Sequence, residues 1–187
     1  MCGRYGALDS ERITQFARDL GAKGFEIQQN DDVRPTNQVP VITAGMETLR
    51  VRWGIQPAWA KKILINAQGE TVAEKRTFAA AFREHRCLIP LDCWYEWLDE
   101  GGRRKQRYRF QLPDQAPLLM AGILYPGDEP AMVSLTTQPN AESADIHDRM
   151  PAMIHPDHAF SWIDGTPAEA LQLIGPMPDG ATKVEKM

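Results

Sequence analysis

The 187-residue chain is 43% hydrophobic and 25% charged, which suits one globular domain and leaves too little sequence for two large ones. It has no apolar run of about eighteen residues and no apolar leader, so we expect a cytoplasmic protein without a membrane span. The net charge is −4, but residues 1–110 carry 18 Lys and Arg against 14 Asp and Glu, while residues 111–187 carry 3 against 11. This balance excludes a protein that coats nucleic acid in bulk and leaves room for a local basic face.

The helical segments are predicted from apolar spacing and capping residues. The first helix begins at Asp9 or Ser10 and ends at Gly21, and a second covers residues 71–86. Shorter helices are predicted over residues 140–146, 156–163 and 167–174.

Alternating or continuous apolar runs predict strands over residues 39–43, 49–53, 87–89, 91–98, 108–112, 118–125 and 131–137. Pro40 suggests that the first of these lies at a sheet edge. Strands without regular alternation with helices indicate a single α+β domain over residues 1–187, with a largely antiparallel or mixed sheet.

The cysteines are few and irregularly spaced. Cys2, Cys87 and Cys93 form no C-x-x-C motif, so neither a disulfide framework nor a zinc site is predicted, and we expect no metal and no cofactor. Removal of Met1 would give Cys2 a free α-amine beside its thiol. An α-amine with a pKa of about 8 is partly neutral at physiological pH and can attack an aldehyde. Taken alone, a cysteine at position 2 is more simply an accident of sequence.

Three further residues have chemistry to offer, and each has a plainer alternative. Glu96 lies between aromatic residues, where desolvation would raise its pKa and suit it to proton transfer. The alternative is an exposed strand glutamate beside core aromatic residues. His147 follows a short predicted helix, a place where functional groups often lie. Asn66 can hold an amine or an oxygen, or simply cap a helix.

Basic and aromatic residues also point to nucleic acid. Lys61 and Lys62 are adjacent, and a second cluster of cations occupies residues 103–109 after two glycines. The second cluster is equally typical of a solvated hairpin tip. Trp53 and Trp59 are predicted either to stack bases in a basic groove or to pack in the core.

An ordered set of motifs resembles the SOS-response-associated peptidase family, which processes abasic sites and crosslinks to DNA. The motifs are Met1-Cys2-Gly3-Arg4-Tyr5, Pro35-Thr36, Val39-Pro40-Val41, Arg52-Trp53-Gly54-Ile55-Gln56-Pro57, Ile65-Asn66-Ala67, Glu70-Thr71, Arg86-Cys87-Leu88-Ile89-Pro90, Trp94-Tyr95-Glu96-Trp97 and His147-Asp148-Arg149-Met150-Pro151. The resemblance implies a β-barrel-like core of curved, largely antiparallel sheets flanked by short helices. It also implies a cleft that leads to the mature N-terminal cysteine.

The same resemblance implies a reaction and a set of site residues. Cys2 would form a thiazolidine with the opened sugar of an abasic site in single-stranded DNA, with Asn66 holding the sugar, Glu96 moving protons and His147 assisting ring opening. The residues implied to bind DNA or to form its cleft are Arg4, Asp32, Arg34, Pro35, Trp53, Trp59, Gln68 and Arg149. Self-removal of Met1 is the peptidase activity implied.

The chain departs from the family pattern at two of these positions and at Ala60, next to a third. Gln68 replaces a usual cation and Asp32 replaces a usual neutral amide, which predicts weaker DNA affinity that Arg34 can offset. Ala60 replaces a second aromatic residue after Trp59, which predicts a smaller stacking surface.

Two other functions remain open from the sequence: a non-catalytic single-strand-binding module, and a cysteine peptidase that uses His147. The expected partner is single-stranded DNA containing abasic sites. We further expect a monomer that is cytoplasmic and associates with the nucleoid when it is bound to DNA.

Overall fold

The computed structural model of the protein describes residues 3–187, so Cys2 lies outside the described residues. In this range the chain forms twelve strands: β1 (Tyr5–Ala7), β2 (Asn30–Val33), β3 (Gln38–Ile42), β4 (Thr48–Trp53), β5 (Asn66–Gln68), β6 (Arg86–Leu91), β7 (Cys93–Leu98), β8 (Gln106–Gln111), β9 (Leu118–Tyr125), β10 (Ala131–Thr137), β11 (Met150–Pro151) and β12 (Lys183–Lys186). Its α-helices are α1 (Ser10–Asp19), α2 (Ala79–Glu84), α3 (Ala141–Ala144), α4 (Ala159–Asp164) and α5 (Pro167–Gln172). Single 3-10 turns cover Ala44–Met46, Gly69–Thr71 and Pro156–His158.

Five strands close into a barrel in the order β10, β4, β3, β6, β9 and back to β10. The β4–β10 pair is parallel and the other four pairs are antiparallel. Strand β10 also pairs with β5 beyond β4 and with β11 beyond β9. The predicted α+β fold with a barrel-like, largely antiparallel core is therefore confirmed.

A second, fully antiparallel sheet has the strand order β12, β8, β7, β1, β2. Side chains alternate along the barrel strands between two buried clusters, as the two-residue period of a strand requires. One cluster joins Ile89 and Met120 to Tyr5, Trp94 and Phe110 of the second sheet. The other joins the opposite faces of the same barrel strands to the helices. The barrel is thus covered by a sheet on one side and by short helices on the other.

Two local predictions are wrong. Residues 71–86 do not form one helix: isolated turns at Thr71 and Lys75 precede a short α2, because β-branched Thr71, Val72 and Thr77 weaken helix continuation. Strand β3, which contains Pro40, is not an edge strand, since it lies between β4 and β6. Pro40 is tolerated there because β6 pairs with β3 only at Ile42, which leaves Pro40 no ladder partner on that side.

The other predicted elements are confirmed with shifted ends. Asp9 caps α1 by accepting a hydrogen bond from the Arg12 N–H at 3.0 Å. Pro90 lies inside β6, so the break between β6 and β7 falls at Asp92. Among residues 3–187, no helix has both the length and the apolar character needed to cross a membrane.

Candidate active site and nucleic-acid interface

Glu96 is a buried carboxyl group on β7. The alternation of that strand directs Glu96 to the same face as Trp94, whose ring stacks on Phe110 at a centroid distance of 5.0 Å. The residue is only 3% exposed. Desolvation raises the pKa of Glu96 to about 7, and the negative charge of Asp148 acts in the same direction. At neutral pH the group therefore exchanges readily between its acid and its base form.

His147 faces this carboxyl group from the segment after α3. Its backbone N–H donates to the carbonyl of Ser143 at 2.8 Å, and its Nε2 lies 3.9 Å from the Glu96 Oε2. Burial lowers the pKa of His147, so the neutral imidazole prevails at pH 7. The Arg149 N–H donates to Nδ1 at 3.0 Å, and the Asp148 Oδ1 lies 3.0 Å from the same nitrogen, so both groups hold the ring with Nε2 facing Glu96.

Asn66 lies on β5 in register with Ser134 of β10. The Ser134 hydroxyl donates to the Asn66 side-chain oxygen and fixes the orientation of the amide. Strand β10 also pairs with Met150, three residues after His147. One barrel strand thus positions both Asn66 and the segment that carries His147.

Arg149 was expected to contact a DNA phosphate, and the structure gives it a protein partner. Its guanidinium donates to both carboxylate oxygens of Glu70, at 3.0 and 2.6 Å, and to the carbonyl of Thr136 at 2.8 Å. Its side chain is only 11% exposed. Arg149 therefore ties the His147 segment to the barrel, and any phosphate contact must compete with Glu70.

Three arginines surround Asp32 of β2 on the outer face of the second sheet: Arg4 just before β1, Arg34 just after β2 and Arg107 on β8. We call Arg4, Asp32, Arg34 and Arg107 the Asp32 cluster. Arg4 donates to the Asp32 carboxylate at 2.6 Å, and the Arg34 Nε donates to it at 2.9 Å. Partial burial acts to raise the pKa of Asp32, but these hydrogen bonds and charges lower it overall. The charges of Arg4 and Arg34 therefore compensate that of Asp32, and the Asp32 carboxylate holds both guanidinium groups in place. Its negative charge was expected to weaken DNA binding.

The two tryptophans have different environments. Trp53 is 0% exposed, packs against Tyr5 at a centroid distance of 5.5 Å and donates through Nε1 to the Ile65 carbonyl. Of the two alternatives for Trp53, base stacking is excluded and core packing holds, because no face of its ring is accessible. Its backbone carbonyl accepts the Thr36 N–H at 2.8 Å, so Trp53 supports the turn that carries Arg34 and Pro35.

Trp59 is 68% exposed and lines a groove with a volume of about 1020 Å³. Arg52 and Arg76 line the same groove, while Glu96 and His147 do not. Gln68 is exposed at the end of β5. The aromatic and cationic lining suits stacked nucleotides, and the buried acid–base pair occupies a separate place.

Comparison with known proteins identifies the family. A model described as SOS response associated peptidase (SRAP) matches residues 1–187. The chain belongs to the SRAP family. Among SRAP relatives, the abasic site processing protein YoaM of Bacillus subtilis is 36% identical over 88% of this chain and 79% of its own length. The abasic site processing protein YedK of Escherichia coli is 32% identical over 95% of this chain and 88% of its own.

Solved structures share the SRAP fold seen here. A protein from Bordetella bronchiseptica superimposes with a TM-score of 0.82 at 24% identity, covering 100% of this chain and 99% of the other. A protein from Bacteroides thetaiotaomicron gives a TM-score of 0.78 at 22% identity, covering 99% and 90%. At these identities the likeness bears on the fold alone.

Proposed function

We propose that this chain recognises abasic sites in single-stranded DNA and forms a stable covalent crosslink through Cys2 after Met1 has been removed. The observation that carries the proposal is the buried pair of Glu96, with a pKa near 7, and neutral His147, 3.9 Å away. Relatives that are 36% and 32% identical are named abasic site processing proteins, which supports the same substrate class.

The proposed chemistry needs no cofactor. An abasic deoxyribose opens when the proton of its C1′ hydroxyl is removed and the ring oxygen is protonated, and His147 exchanges these protons. The Cys2 amine then adds to the C1′ aldehyde to give a carbinolamine. Glu96, in its acid form, protonates the hydroxyl group that leaves as water, and an imine results.

The thiol completes the reaction. Its sulfur attacks the imine carbon, its proton passes to the imine nitrogen, and a five-membered thiazolidine ring closes. In balance, an aldehyde, an amine and a thiol give one thiazolidine and one water. Removal of Met1 consumes a separate water in hydrolysis of the Met1–Cys2 peptide bond, and we propose that the same site carries out this cleavage.

The peptidase alternative that uses an internal cysteine is less consistent with the side chains of residues 3–187. Cys87 and Cys93 are both buried, and desolvation raises the pKa of each thiol. A thiol that resists ionisation is a poor nucleophile. Cys2 is the remaining cysteine of the sequence.

The single-strand-binding alternative is favoured by exposed Trp59 beside Arg52 and Arg76, and it predicts affinity without a covalent product.

A denaturing gel separates these possibilities. The protein, incubated without reductant with single-stranded DNA that contains one abasic site, is expected to give an adduct that survives heat and denaturant. Cys2→Ala should abolish this adduct because it removes the trapping thiol, while Cys93→Ala should retain it. Equal stable adduct from wild type and Cys2→Ala would refute crosslinking through Cys2, and tight binding without any adduct would favour the single-strand-binding module.

A further inference from the structure

Arg107 differs from its neighbours in the Asp32 cluster. The two oxygens of the Asp32 carboxylate are occupied, one by Arg4 and the other by Arg34. The nearest approach of Arg107 is 3.9 Å from its Nη2 to Oδ1, which is longer than a hydrogen bond. The cluster therefore holds three guanidinium groups and one carboxylate, and Arg107 is the member whose charge that carboxylate compensates least.

Arg107 is nevertheless held in place. Its guanidinium carbon lies 3.7 Å from the centre of the Tyr95 ring and 5.8 Å from that of Trp97, its partner across the β7–β8 ladder. Stacking on aromatic rings orients a guanidinium and leaves its edge donors available to an anion. Within residues 3–187 the Arg107 side chain donates no hydrogen bond, and it is 31% exposed.

The position of Arg107 relates the cluster to the active site through one strand. Strand β8 places Tyr108, the next residue, opposite Glu96, so Arg107 lies on the other face of the sheet. Lys105, two residues before Arg107, is close enough for its charge to contribute to the lowered pKa of His147. The basic start of β8 therefore lies near His147, and Arg107 extends it to the face that carries the Asp32 cluster.

We propose that Arg107 binds a backbone phosphate of the single-stranded DNA, a contact that adds to those expected of Arg4 and Arg34. The inference rests on the proposed function, since it assigns a further binding residue to the same DNA. The aromatic rings orient the guanidinium before the DNA arrives, so the contact costs little side-chain entropy.

Arg109 offers a matched control. It lies on the same strand and the same face, but its guanidinium donates to Glu185 on β12. If charge alone on this face attracted DNA, removal of either arginine would have the same effect. If a guanidinium that is supported by aromatic rings and donates no hydrogen bond to a carboxylate is required, Arg107→Ala should weaken binding much more than Arg109→Ala does.

The test is a salt series of binding to a fluorescent oligothymidylate without an abasic site, followed by anisotropy from about 25 to 200 mM chloride. Arg107→Ala should lose about three- to tenfold in affinity at low salt and about 0.7 in the magnitude of the logarithmic salt slope, the value for one single-strand phosphate. Arg109→Ala should stay within about twofold of wild type. Circular dichroism melting must show that both variants are folded. If Arg107→Ala is unfolded, it is replaced by Arg107→Gln, which keeps most of the aliphatic stem.

Two outcomes would overturn the inference: wild-type affinity and slope for the folded Arg107 variant, or equal losses for Arg107→Ala and Arg109→Ala. A third arm replaces chloride by inorganic phosphate at equal ionic strength. A loss of DNA affinity in phosphate that is larger for wild type than for Arg107→Ala shows that phosphate competes with the DNA at this guanidinium, which supports the contact. Equal responses of the two proteins to phosphate count against a phosphate contact at Arg107.

The failure of this inference is distinguishable from failure of the proposed function. Crosslinking to an abasic oligonucleotide is measured in parallel at saturating protein. If wild type crosslinks and Arg107→Ala binds DNA as tightly as wild type does, only the phosphate contact is refuted. A loss of binding by Arg107→Ala, with no stable adduct from wild type, supports the contact and refutes the crosslinking chemistry.

Discussion

The Glu96–His147 pair and the Asp32 cluster lie on opposite faces of the same sheet and use charge in different ways. In the pair, burial dominates and shifts both groups toward their neutral forms, raising the pKa of Glu96 and lowering that of His147. In the cluster, partly exposed charges stay ionised and hold one another in place. Residues of the pair should therefore control the rate of reaction, and residues of the cluster should control affinity and its salt dependence.

The largest expected effect is that of Glu96→Gln on crosslinking. Glutamine keeps the shape and cannot transfer a proton, so the rate at saturating protein should fall by about 10² to 10⁴, while DNA affinity stays within about twofold of wild type. The measurement pairs single-turnover crosslinking with anisotropy. A parallel loss of affinity and rate would show that Glu96 acts in binding and would remove the contrast between the two regions.

The pH dependence of the wild-type rate sharpens the same contrast. Dehydration of the carbinolamine needs the acid form of Glu96, whose pKa is about 7, so the rate should fall as pH rises above 7. Glu96→Gln should lose this falling limb. A falling limb that persists in Glu96→Gln would assign the proton to another group.

Burial of Glu96 also predicts a stability change. Its pKa is raised from 4.5 to about 7, so the folded protein holds a proton that the unfolded chain releases, and stability falls as pH rises from 4.5 to about 7. The loss is up to about 3 kcal/mol for this group. Glu96→Gln lacks this titration, so its unfolding free energy relative to wild type should increase by a similar amount between pH 4.5 and 7.5. A constant difference between the two proteins across this range would contradict the buried environment.

A smaller effect is expected at the Trp59 groove. Trp59→Ala should lower affinity for an oligothymidylate about fivefold or more, since stacking one base contributes about 1 to 3 kcal/mol. Phe160 on α4 is a suitable control because its ring is similarly exposed, at 66%. Phe160→Ala should bind like wild type in the same anisotropy assay, and equal losses in both variants would argue against a specific groove.

Local patterns in the sequence predicted part of this site. The two-residue period of β7 places Glu96 on the face of Trp94, and the structure agrees, because Trp94 packs in the cluster shared with the barrel and Glu96 is buried beside it. The same period relates Trp53 to Val51 on β4, and both are fully buried. The strand period therefore predicts that Trp53 is buried. It makes no such prediction for Trp59, which lies in an irregular loop, and composition alone does not distinguish the two residues.

Long-range pairing could not be read from the sequence. Asp32 meets Arg4 and Arg107 because β2, β1, β7 and β8 are neighbours in one sheet, although Arg107 is far from both in the chain. Closure of the barrel depends on the parallel pairing of β4 with β10, which no local pattern specifies. In the sequence, nothing separates Arg107 from the other cations of residues 103–109. In the structure it pairs with Trp97 across the ladder and stacks on Tyr95, two residues away on the same face.

The central claim is that Cys2, freed of Met1, traps the abasic sugar as a thiazolidine. Intact mass spectrometry of the adduct with a defined abasic oligonucleotide tests it most directly, followed by nuclease and protease digestion to locate the attachment. The predicted mass is that of the protein without Met1 plus the oligonucleotide minus one water, with the modification on Cys2. An adduct that retains Met1, or one attached at a lysine side chain, would contradict the account.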